Sequence, residues 1–144
     1  MADKTGKSWM AVGETDDPNA IIESFEADAD ITKGQPVYLS DDDKVTGAAD
    51  AQNCIGIAMK DTDDGDQCPV LRRGRVKVTA GGAITCGNAV YGADADGKVL
   101  ELADQDVNEA GAATYTVYYN RKLGTALETA DGEDDLIFIQ VEKN

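Results

Sequence analysis

The stretch TKGQPVYLSDDDKV at residues 32–45 returns as TCGNAVYGADADGKV at residues 85–99. Each copy runs T-x-G, V-Y, an acidic turn, then K-V. The echo continues downstream, where CIGIAMKDTDDGDQCPVL (54–71) aligns without a gap on KLGTALETADGEDDLIFI (122–139). That alignment sets Gly56 on Gly124, Ala58 on Ala126, Met59 on Leu127 and Val70 on Phe138. Both copies read as strand, Asp-rich turn, strand, connector, I/L-G-x-A strand, Asp/Gly turn and apolar strand. Two copies are too few for a solenoid, so the repeat must close on itself. The pattern predicts an all-β domain over 21–144, with repeat halves at about 31–79 and 84–141. It is a small β-barrel or sandwich built from two duplicated strand–turn–strand halves.

Local patterning agrees. SFEADADI alternates, with Phe25, Ala27, Ala29 and Ile31 on one face and acids on the other, the period of a half-buried strand. RVKVTA, ATYTVYY and LIFIQVE are β-branched or aromatic and of strand length. Asp/Gly clusters separate these segments as in sandwiches and barrels. DDPNAIIESF carries a helix-start signal at Asp17 and Pro18, but the alternation that follows predicts a short turn feeding a strand. Residues 1–20 lie outside the repeat as an N-terminal arm, rich in Gly, Asp and Lys, with Trp9 and Met10 as apolar exceptions. That arm reads either as a flexible segment with an apolar anchor or as an edge folded on the core. The second copy also carries an insertion, which places Tyr115, Tyr118 and Tyr119 together as a candidate oligomer or partner interface.

Charge narrows the function. Twenty-eight acidic residues face 13 basic ones with no histidine, a formal net charge of −15. Such a surface disfavours direct binding to a nucleic-acid backbone, which needs a basic footprint. It suits concentrated salt, where the Debye length falls to ~3 Å at 1 M, and so fits a halophilic source. No run of 18 apolar residues and no basic apolar leader is present, so neither a membrane span nor a signal peptide is predicted. The three cysteines, Cys54, Cys68 and Cys86, form no C-x-x-C pair and read as reduced and structural.

Catalytic and metal signatures fail on spacing. A calcium loop needs acids at positions 1, 3 and 5, Gly at 6 and Glu at 12. GADADGKVLELA fits with Asp94, Asp96 and Gly97 but has Gly92 at position 1 and Ala103 at 12. Hairpin turns explain the Asp runs better, because Asp and Gly accept positive φ. Without histidine the Ser–His and Cys–His pairs are impossible, and Ser8, Ser24 and Ser40 sit in no nucleophile elbow. IAMKDT resembles the A-M-K of biotin carriers, but Ile57 and Asp61 replace their flanking Glu and Met, and Glu128 stands opposite Lys60 in the second copy. The reading is therefore no enzyme, no metal and no cofactor. LRRGR holds Arg72, Arg73 and Arg75, suited to local ion pairs or to an acidic neighbour.

I-T-x-G-x-x-V at residues 31–37, the DDDKV hairpin, I-G-I-A at 55–58 and the GRV strand together resemble the head decoration, or cement, proteins of tailed viruses. These are small β-rich proteins of the lambda decoration type and related capsid-stabilising families. The resemblance spans roughly residues 25–141. It implies a β-barrel-like fold, a homotrimer seated on the major capsid protein at the capsid exterior, synthesis in the host cytoplasm, and an N-terminal arm touching the shell. On that footing Trp9, Met10, Arg72, Arg73 and Arg75 are the expected capsid contacts. Deleting residues 1–20 is expected to abolish capsid binding while leaving the β fold intact. The alternative from another class is an adhesion or carbohydrate-binding module using Tyr115, Tyr118 and Tyr119.

Overall fold

The computed structural model describes residues 2–48, 53–92, 97–102 and 122–143. Their regular structure is nine strands: β1 (Ile21–Ala27), β2 (Pro36–Asp41), β3 (Lys44–Gly47), β4 (Cys54–Ala58), β5 (Gln67–Thr79), β6 (Ala89–Gly92), β7 (Val99–Glu101), β8 (Gly124–Ala126) and β9 (Leu136–Glu142). The order β1-β3-β2-β4-β5 closes on itself, because β1 also pairs with β5. The sheet continues from β5 through β9, β8 and β6 to β7, and the parallel bridge Ala80↔Val99 ties β7 back to the end of β5. The first half thus closes as a five-strand barrel, the expected small all-β barrel, and the second folds back as a smaller ring through that one bridge. β5 belongs to both: residues 67–73 pair with β1, and residues 73–79 pair with β9.

The sequence echo is an echo of hydrogen bonds. Ile31 and Thr62 exchange backbone bonds in the first ring, as Ile84 and Ala130 do in the second. Ala27 N–H donates to Asp66 O at 2.8 Å, and Ala80 N–H donates to Asp135 O at 2.8 Å. Asp28 N–H reaches Val45 O at 2.8 Å, and Gly81 N–H reaches Val99 O at 2.7 Å. The gapless alignment needs one correction. Met59 N–H donates to Pro69 O, whereas Leu127 N–H donates to Phe138 O. Phe138 therefore answers to Pro69, and Val70 answers to Ile139, because the turn before β9 holds one more residue.

The same side chains fill both rings. Ala27, Ile31, Val37, Val45 and Ala58 line the first, where Ala80, Ile84, Val90, Val99 and Ala126 stand in the second. Cys68 and Val70 give way to the larger Ile137 and Ile139. The invariant glycine of the I/L-G-x-A phrase has a steric cause. A Cβ on Gly56 would lie 2.1 Å from Leu71 O, and one on Gly124 would lie 1.9 Å from Gln140 O. The Asp-rich turns are turns: Asp43 (φ 55°) answers to Gly97 (φ 78°), and Gly65 (φ 90°) to Asp134 (φ 72°). Each pair swaps the two residue types that best tolerate the left-handed region.

Other segments follow from local chemistry. Asp17 and Pro18 open a turn in which Asn19 N–H binds Asp17 Oδ1 at 2.9 Å, and β1 follows it as expected. The burial alternation through Ala27 and Ile31 holds, but the strand stops at Ala27 and the chain bends at Asp28 and Ala29. LRRGR lies within β5. ATYTVYY, with Tyr115, Tyr118 and Tyr119, and the acidic stretch with Asp94 and Asp96 lie outside the described residues.

Candidate functional site

Along β5, Val76 and Val78 point into the second ring, so Arg75 and Lys77 point outward. Residues 2–17 lie on that outer face. Lys77 is 1% exposed, and its ammonium binds the Asp3 carboxylate, Lys7 O at 3.1 Å and Met10 O at 2.9 Å. Three acceptors satisfy its three donors, which is the condition for burying such a charge. Backbone pairing adds to the grip: Gly13 N–H donates to Lys77 O at 2.8 Å, and Lys77 N–H donates to Glu14 O at 3.2 Å. Near the start of β9, Lys4 N–H donates to Leu136 O at 2.8 Å, and Leu136 N–H donates to Ala2 O at 2.7 Å. Burial alone would raise the Asp3 carboxyl, but hydrogen bonds from Lys77 and Thr5 hold it below its ordinary value.

This segment separates the adjacent Trp9 and Met10. Met10 packs inside at 4% exposure, while Trp9 projects into solvent at 75%. A second clamp lies nearby. Asp16 accepts from Lys7 and from Arg75, at 2.8 Å from Nη2 and 3.2 Å from Nε. Those bonds, from Lys7 first and then Arg75, lower the Asp16 carboxyl to about 2. The Arg75 guanidinium stands 4.9 Å from the centre of the Phe138 ring, and Lys7 Nζ stands 5.5 Å from it. Glu128, marked in the sequence only as the counterpart of Lys60, accepts the Phe138 N–H at 2.7 Å, and burial raises its carboxyl above the ordinary range.

The three arginines of LRRGR do not act together. Arg75 holds the N-terminal segment. Arg72 serves the first ring, binding Glu23 at 3.2 Å and standing 5.9 Å from the Phe25 ring. Its Nε is buried without a partner among the described residues. Arg73 is exposed and makes no ion pair among the described residues.

A cavity of about 350 Å³ is lined by Val12, Thr32, Lys33, Gly34, Gln35, Thr79 and Gly97, with Lys33 tied to Glu14 at 3.0 Å. A shallower groove is lined by Phe25, Leu39, Ser40, Asp41, Asp42 and Asp43. Among the described residues no group of three or more His, Cys, Asp or Glu is arranged to hold a metal. Cys54 and Cys68 are buried free thiols, the first pushed up to about 12 by burial, and Cys86 is an exposed one. Lys60 is exposed. What these elements offer is contact: a projecting indole, a guanidinium with no ion pair among the described residues, and an acid-rimmed groove.

Residues 25–142 match the family described as phage cement protein. The chain belongs to the phage cement protein family. As a member, it is a capsid-associated structural protein of the virion. The fold is also that of the N base of head fiber gp8.5 in bacteriophage phi29. That likeness has a TM-score of 0.56 at 20% identity and covers 85% of this chain and 93% of that one. No curated protein matches the sequence. The family match starts at Phe25, so the clamped segment bearing Trp9 precedes it in this cement-family chain.

Proposed function

We propose that this chain binds the outer surface of a viral capsid, contacts the major capsid protein and stabilises the shell without catalysis. The family match over residues 25–142 carries that reading. The structural likeness to a head fiber base fits it, as a fold that serves on another phage head. We place Trp9 and Arg73 at the shell contact, since both are exposed and the Arg73 side chain makes no ion pair among the described residues. Met10, Arg75 and Arg72 then act by fixing the surface from which those two project. The repeated hydrogen-bond scheme supports an internal duplication as the origin of the two rings. A homotrimer gives each weak contact the benefit of multivalent seating, which can strengthen binding without any new contact type. The charge of −15 suits assembly in concentrated salt.

The test is co-sedimentation with capsids purified without this protein, together with the melting temperature of the shell. Wild type is expected to pellet with capsids and raise their melting point, and Trp9→Ala with Arg73→Glu is expected to weaken both effects. Failure of wild type to bind would remove the proposal. Normal binding by the double variant would move the contact elsewhere. Point substitution is the better probe, because removing residues 1–20 also strips Lys77 of its acceptors and Met10 of its place in the core.

A further inference from the structure

The two rings differ at one edge. In the second ring the outer edge of β5 at Lys77 is occupied by Gly13 and Glu14, through bonds of 2.8 and 3.2 Å. The repeat sets Ser24 of β1 where Lys77 stands in β5: Glu26↔Gln67 in one ladder answers to Thr79↔Leu136 in the other. Ser24 lies opposite Pro69, which has no N–H to give, so its own N–H and C=O turn away from β5. The alternation confirms that direction. Glu26 N–H and Asp28 N–H turn the same way and donate to Asp43 O and Val45 O. β3 reaches only Glu26 and Ala27, so at Ile22 and Ser24 no described strand receives those groups. Ile21 and Ile22 are 47% and 48% exposed there, with neither Lys nor Pro to blunt the edge.

We propose that the Ile22–Ser24 edge of β1 receives an extended, basic segment of the capsid protein as an added strand. The chemistry of the site chooses that occupant. Asp41, Asp42 and Asp43 rim the adjoining groove, with Phe25 and Leu39 supplying an apolar floor. A strand alternating apolar residues with Lys or Arg matches both. A second copy of this chain fits poorly. Its net charge is −15, its Arg-rich stretch is already inside β5, and Lys4 and Lys7 are already paired with Asp131 and Asp16. Backbone pairing supplies affinity, and the groove supplies selection.

This inference rests on capsid binding, so wild-type co-sedimentation is the first arm, and its failure falls on that reading. Ser24→Pro removes an N–H that β5 does not use, in the setting where edge strands accept proline. With wild type binding, Ser24→Pro and Ile22→Lys are each expected to weaken capsid binding about tenfold, the scale of one or two net hydrogen bonds. Their free-state melting should stay near wild type. Hydrogen exchange on wild type gives an independent arm, since the amides of Ile22 and Ser24 should slow when capsids are bound. Equal binding by both variants, or no change in exchange, overturns the proposal. A concentration-dependent dimer that Ser24→Pro abolishes would reassign the edge to a second copy and overturn the stated partner.

Discussion

Lys77, near the C-terminal end of the strand shared by both rings, holds the Asp3 carboxylate almost at the start of the chain. With the Lys7 and Met10 carbonyls as its other acceptors, this ammonium ties three points of the N-terminal segment to the second ring. Lys77→Met would keep much of the volume and leave those acceptors facing an apolar group. We expect a loss of about 2–4 kcal/mol, somewhat under the full cost of breaking a buried pair because Asp3 is partly exposed. Denaturant unfolding of wild type and variant measures it.

Acid should release the same segment. Asp16 is lowered from 3.8 to about 2 and Asp3 is lowered as well, so both bind fewer protons folded than unfolded. Their contribution is complete above about pH 5 and is lost as pH falls through their folded values. Trp9 is the only tryptophan and sits on this segment, so its fluorescence reports on it directly. Trp9 emission unchanged from neutral pH to about 5 and moving to its unfolded value towards pH 2 is the expected profile for this segment. A decline centred well above pH 4 would assign acid sensitivity to other groups.

Backbone closeness sets the third expectation. Gly124→Ala drives a Cβ into Gln140 O, and Gly56→Ala drives one into Leu71 O, where neither carbonyl belongs to a flexible side chain. Each should cost at least the roughly 1–3 kcal/mol typical of overpacking. Lowered melting temperatures for both, with Gly132→Ala as an open-space comparison, would bear this out.

Thiol reactivity should divide by burial. Cys54 and Cys68 are enclosed, with burial raising both thiols, whereas Cys86 is exposed. A thiol reagent at neutral pH should label Cys86 rapidly in the folded protein, and Cys54 and Cys68 only after unfolding. Fast labelling of Cys54 in native protein would contradict the packing of the first ring against the second.

The sequence carried the strands, the turns and the twofold phrase, because alternation and Asp/Gly punctuation are local. It also showed that Gly56 and Gly124 matter together, though not that each yields to a carbonyl. The extra residue before β9 was hidden, since Val70 and Phe138 are both apolar and a gapless match looked sufficient. Lys77 was illegible for a different reason. In RVKVTA it is one more outward polar residue, and only residues 3–14 returning over β5 make it a buried ion. Separation of Trp9 from Met10 likewise depends on that return, as adjacent apolar residues give no sign of which one faces inward. The open edge at Ser24 becomes visible only when the two rings are compared bond by bond.

β5 runs 13 residues without a break and serves as a wall of both rings. A load placed on the first ring therefore passes to the second along covalent backbone as well as through the packed side chains of Cys54, Ile57 and Leu71. Held at one end by a shell, such a molecule transmits strain the way a continuous beam does between two frames. Neither ring can slide past the other without tearing the β1–β5 or β5–β9 ladder lengthwise.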